Sequence, residues 1–85
     1  MGVSERPFTD KQGQYLAFIY AYTEINRVPP AEIDMQRYFR VSPPTVHQMV
    51  KKLHASGWIA RIPGKPRTIE ILIDPNELPI LRRPQ

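Results

Sequence analysis

Apolar residues recur at helical spacing near the start of the chain: Tyr15, Leu16, Phe18, Ile19 and Tyr22. At 3.6 residues per turn these fall on one side of a helix. Thr9 precedes the run and Gln12 follows it by three, which predicts a capping box, and Phe8 ahead of the cap is placed for a hydrophobic staple. The helix is expected over 10–26, and Pro29-Pro30 stops it. A second, shorter helix is expected from about Pro30 to Phe39, with Ile33, Met35, Tyr38 and Phe39 as its apolar positions. Arg40-Val41 would make the corner to a third helix, with Val41 plugging it. Ser42 is a good N-cap, Pro43 suits the first helical position, and Gly57 suits the C′ position. Between them Val46, Met49, Val50 and Leu53 form a single apolar stripe. Residues 58–62 and 68–73 are rich in β-branched side chains and flank Pro63-Gly64-Lys65-Pro66-Arg67, so they read as the two arms of a hairpin. Trp58 is expected to anchor that hairpin to the helices.

The predicted class is therefore mainly α with a β-hairpin (α+β), a three-helix winged helix-turn-helix. The expected organisation is a loose tail over 1–7, the domain over 8–73, and a C-terminal tail over 74–85 with Leu78, Ile80 and Leu81. Eighty-five residues suffice for one small domain with little core to spare.

Rotating the third helix by 100° per residue puts Pro44, Gln48, Lys51 and Ala55 opposite the apolar stripe, flanked by Thr45, His47 and Lys52. Charge then changes the picture. Between Asp34 and Glu70 there is no acidic residue, yet seven fixed cations occur: Arg37, Arg40, Lys51, Lys52, Arg61, Lys65 and Arg67. The net charge is +4. A foldable, one-signed segment suits a polyanion such as double-stranded DNA. Gln48 can pair with adenine N6/N7, and Lys51 with guanine O6/N7 or a phosphate. Ser42 and Thr45 stand at a helix N-terminus, an end that favours phosphate. Arg61, Lys65 and Arg67 are expected on a wing that follows the backbone or probes the minor groove. Lys51 and Lys52 could instead be merely a solvated helix face, and Arg61 could pair with Glu70 across the hairpin. Lys65 and Arg67 have no obvious carboxylate nearby in the sequence.

This order of elements also resembles the DNA-binding domain of the LexA repressor family. The resemblance rests on Phe8-Thr9 with Gln12, Pro29-Pro30, Ala31-Glu32-Ile33, Ser42-Pro43, Lys51 with Leu53, Gly57-x-Ile59 and Gly64-Lys65-x-Arg67-x-Ile69. It implies a winged-helix fold whose third helix and wing contact DNA. The turn before Ser42 is one residue longer than in that family, and Pro44, His47 and Gln48 depart from its pattern, so no operator sequence carries over. No residues are left for that family's Ser/Lys protease domain, and self-cleavage is not expected of these 85 residues.

Other classes are disfavoured. There is no cysteine, which removes disulfides and thiolate chemistry and suits a cytoplasmic location. No apolar run approaches the ~20 residues of a membrane helix. Residues 1–6 match neither a signal peptide nor a myristoylation motif. No nucleophile–base pair or phosphate-cradling glycine loop is visible, so no enzyme and no cofactor is expected. His47 and His54 lack a third ligand, so no metal is expected either. On the first helix, Gly13, Ala17, Tyr20 and Ala21 fall away from the predicted core. Small residues with one aromatic let a second helix approach, which predicts a homodimer with the C-terminal tail as an arm. The overall expectation is a transcriptional regulator, a repressor in preference to an activator. A winged helix used for protein–protein docking through that first-helix patch is the alternative.

Overall fold

The computed structural model describes residues 7–83; most of the expected 1–7 tail lies outside them. Three helices, α1 (Asp10–Asn26), α2 (Glu32–Phe39) and α3 (Pro43–Ala55), precede an antiparallel hairpin of β1 (Ile59–Ala60) and β2 (Glu70–Ile71). A 3₁₀ turn at Pro75–Glu77 follows. The winged helix-turn-helix expectation holds.

Local chemistry accounts for the helix ends. The Thr9 hydroxyl accepts from the Gln12 amide and the Gln12 side chain accepts from the Thr9 amide, at 3.1 and 2.9 Å. The α2–α3 corner turns at Arg40, held in the left-handed region at φ 57°, and the Val41 amide closes on the Gln36 carbonyl. Past α3, Gly57 takes φ 80°. The Gly57 and Trp58 amides then bond the His54 and Leu53 carbonyls, a Schellman ending.

The core forms where the helical stripes meet. Tyr15, Leu16, Phe18 and Ile19 of α1 are buried with Met35 of α2 and Val46, Val50 and Leu53 of α3. An aromatic seam joins α1 to α2: Tyr15 stacks on Phe39 at 4.1 Å, and Phe18 meets Tyr38 at 4.7 Å. Burial raises the Tyr15 phenol above its ordinary pKa, which keeps it neutral. Phe8 meets Trp58 edge-on at 5.8 Å, so the hairpin base is anchored as expected.

Four features differ from the sequence reading. First, α2 begins at Glu32, because Ala31 stays extended and takes the N-cap position. The Ala31 amide bonds the Asp34 carboxylate at 2.8 Å, which defines that start. Ile33, expected on the buried side, is 43% exposed. Second, the strands are two residues each, as Pro63 and Pro66 have no amide to donate and Thr68 takes over the bonding.

Third, the C-terminal segment is not a free arm. Buried Gln14 clamps it from both sides: its Nε2 donates to the Ile80 carbonyl at 2.9 Å, and its Oε1 accepts from the Arg82 amide at 2.8 Å. The Tyr38 hydroxyl donates to the Arg82 carbonyl at 3.0 Å. Leu78 and Leu81 pack against the core, and Ile80 points to solvent.

Fourth, half of the patch expected to dimerise is buried, and this return path reaches Gly13 in it. Gly13 and Ala17 are buried, as is every residue from Gly13 to Ile19. A Cβ on Gly13 would stand 3.0 Å from both Phe8 and Pro79. The absent side chain lets Phe8 and the tail seat there, so the small residue serves an intramolecular contact. Only Tyr20 and Ala21 of the four reach the surface.

Replacing Gln14 by Leu leaves the Ile80 carbonyl and Arg82 amide without their partner. We expect a stability loss of about 1–3 kcal/mol in urea unfolding, with faster hydrogen exchange at the Arg82 amide. An unchanged midpoint would show that the clamp is dispensable.

Candidate nucleic-acid interface

The buried side of α3 decides what its other side offers. With Val46, Val50 and Leu53 fully buried, Pro44, Thr45, His47, Gln48, Lys51 and Lys52 all stand exposed. The helix carries no carboxylate along its length. Gln48 and Lys51 project from the centre of this face, as their spacing requires.

The N-terminus of α3 differs from the expected phosphate seat. Its first two residues are Pro43 and Pro44, which have no amide hydrogen. The Thr45 amide is capped by Ser42 Oγ at 3.4 Å, and the Val46 amide bonds the Ser42 carbonyl at 3.2 Å. The backbone donors that normally make such an end an anion site are therefore missing or used. The hydroxyls of Ser42 and Thr45 lie 2.9 Å apart, exposed, and remain as the polar groups at this corner.

The wing is a closed loop. The Lys65 amide bonds the Ile62 carbonyl at 3.0 Å across Pro63-Gly64, with Gly64 at φ 82°, a type II turn. Thr68 Oγ1 accepts from the Ile62 amide and donates to the Lys65 carbonyl, both at 3.0 Å. Lys65 stands exposed at the tip.

Arg67 does not join it there. Its Nη1 lies 3.2 Å from the Asp34 carboxylate, and it donates to the Tyr22 hydroxyl at 3.1 Å and the Pro29 carbonyl at 3.2 Å. Those partners come from α1, the α1–α2 connection and α2. The Tyr22 bond, then Asp34, hold the guanidinium charged. Arg67 also adopts φ 59°, so the wing turns inward at this residue. Arg67, expected to contact the DNA backbone, is exposed and at the same time a brace that ties the wing to the helices. The alternative Arg61–Glu70 pair does not form, since the register opposes Ala60 to Glu70. Arg61 instead lines a cleft, with a buried Nε that has no hydrogen-bond partner among the described residues.

That cleft, about 330 Å³, lies between α3, the start of α2 and the wing. His47, Arg61, Lys65 and Arg67 line it, and so does Glu32. The Glu32 carboxylate sits 3.2 Å from His47 Nδ1. The acid-free stretch of sequence is thus not an acid-free surface: Glu32 and Asp34, just ahead of the stretch, fold back onto it. Glu32, Asp34 and Tyr22 are the residues sequence reasoning missed. Nothing local marks them, because their partners lie fifteen to forty-five positions away.

This chain matches the protein family described as iron dependent repressor, N-terminal DNA binding domain, over residues 7–65, and it belongs to that family. It is 33% identical over 66 residues to the LexA repressor of Thermotoga maritima, a match covering 78% of this chain and 34% of that protein. With the LexA repressor of Clostridium perfringens it shares 37% identity over 70 residues, covering 81% of this chain and 34% of that one. The chain thus spans about a third of the length of these relatives. The family description names iron, and the described residues do not fit a metal site. Among the described residues no group of three or more His, Cys, Asp or Glu could hold an ion. No helix among them is long and apolar enough to cross a membrane.

The brace makes a prediction. Asp34→Ala removes both the Ala31 cap and the Arg67 partner, and should destabilise the fold by about 1–2 kcal/mol. Arg67→Ala leaves the cap intact, and should speed amide exchange at Ile62 and Lys65 more than within α3. Equal acceleration everywhere would mean that Arg67 does not hold the wing.

Proposed function

We propose that this domain binds double-stranded DNA sequence-specifically and represses transcription by occupying its site. The observation that carries the reading is the outward face of α3, which presents Gln48 and Lys51 without a carboxylate on the helix. In this reading α3 lies in the major groove, where Gln48 meets adenine and Lys51 meets guanine or a phosphate. Lys52 and the Ser42 and Thr45 hydroxyls reach the flanking backbone, and Pro44 packs against the groove edge. Lys65 carries the wing onto the backbone or into the minor groove, and Arg61 faces DNA from the cleft between wing and helix. Arg67 holds the wing at its angle and is not itself a contact.

Membership of a repressor DNA-binding family supports occupancy as the mechanism. A small helix-plus-wing contact of this kind gives modest affinity by itself, much of it from phosphate neutralisation. The docking-module alternative is weakened by the fold, because Gly13 and Ala17 of its patch are buried.

Fluorescence anisotropy on random duplex DNA across a salt series tests the reading. The wild type should weaken steeply with salt. A Lys51→Ala/Lys52→Ala/Lys65→Ala variant should show a slope shallower by about 2–3, since each phosphate left unneutralised takes away about 0.9. An absence of binding at low salt would overturn it.

A further inference from the structure

Glu32 is an anomaly on a face that meets phosphate. A carboxylate there repels DNA, yet the fold holds it against the reading helix. Glu32 is the first residue of α2, and the Ala31–Asp34 bond fixes the backbone from which it projects. Both of its oxygens approach His47 Nδ1, at 3.3 and 3.2 Å.

A carboxylate only accepts hydrogen bonds, so Nδ1 must carry the proton and donate. In the neutral imidazole Nε2 is then left as a lone pair. It makes no hydrogen bond among the described residues. The His47 side chain is half-exposed, one position before Gln48, on the flank of the outward face. The lysines and arginines of this surface only donate, so His47 contributes an acceptor that they cannot.

We propose that Glu32 is a specificity-determining positioning residue. It locks His47 in the Nδ1–H form so that Nε2 accepts from an exocyclic amino group in the major groove. Adenine N6 and cytosine N4 offer that donor, whereas guanine O6/N7 and thymine O4 present lone pairs that repel it. The domain therefore reads amino against keto at one base of its site. This inference rests on α3 as the DNA-reading helix.

The test is selection from a randomised duplex library at about pH 8, where an ordinary imidazole is neutral. Competition anisotropy on the four bases at each selected position follows. The wild type should favour adenine or cytosine at one position by roughly three- to tenfold, the range of a single net hydrogen bond. His47→Ala should flatten that position alone. Glu32→Gln keeps an oxygen to accept from Nδ1–H and should keep the preference, while Glu32→Ala should lose it. Both Glu32 variants remove one negative charge, so both should tighten binding to random DNA alike, which separates tautomer control from simple repulsion. Imidazole ¹⁵N shifts should show Nδ1 protonated in the wild type and a mixture in Glu32→Ala. A preference that survives Glu32→Ala, a keto preference, or a wild-type Nε2–H would overturn this inference alone. Wild-type protein that does not bind DNA at all would overturn the parent reading and this inference with it.

Discussion

A helix that reads DNA must be held at one rotation about its own axis, since a turn of 100° would replace every side chain it presents. In this domain Val46, Val50 and Leu53 set that rotation. Each is fully buried, and each contributes about 1.5–3 kcal/mol by leaving water. Rolling α3 would expose these side chains and drive Lys51 and Gln48 into the core. The ends are secured as well, by the Ser42 cap before the helix and the Gly57 turn after it. The aromatic seam between α1 and α2 then supplies the rigid floor on which α3 and the hairpin sit.

The cations divide into two kinds, and only packing separates them. Lys51, Lys52 and Lys65 stand in solvent, suited to a polyanion. Arg67 is committed to Asp34, Tyr22 and Pro29 and acts as structure. Its Nη1 alone donates to Tyr22 and Pro29 and pairs with the Asp34 carboxylate, joining three segments at one nitrogen. Arg61 lies between the two kinds, lining the cleft with its Nε buried and, among the described residues, unpaired. An unmet buried donor costs free energy, so that Nε gains most from a ligand or a rearrangement that brings it an acceptor.

What the sequence disclosed was what is local. The caps at Thr9 and Ser42, the left-handed exit at Gly57 and the apolar stripes depend on neighbours within a few positions, and all were legible. The outward face of α3 followed from its stripe by rotation alone. What escaped depends on pairs far apart in the chain. Gln14 with Ile80, Tyr22 with Arg67 and Glu32 with His47 follow no local pattern. The absence of acids between Asp34 and Glu70 read as a clean surface because one-dimensional spacing does not report folding-back. Gly13 and Ala17 looked like a seam for a second molecule because helical periodicity does not show that Ala17 is buried, nor that Phe8 and Pro79 return to cover Gly13. The strand arms were overestimated for a related reason: β propensity marks residues that tolerate extension, while Pro63 and Pro66 limit how many can pair.

Three corners of the domain are turned by arginine in the left-handed conformation, at Arg27, Arg40 and Arg67. Glycine adopts that shape without steric cost and is the usual occupant. Each arginine therefore adds a small backbone strain and in return plants a permanent charge at a bend. At Arg67 that charge is turned inward, onto Asp34, Tyr22 and Pro29. Glycine at Arg27 or Arg40 would relieve that strain and remove a charge, whereas glycine at Arg67 would also release the wing from Asp34, Tyr22 and Pro29.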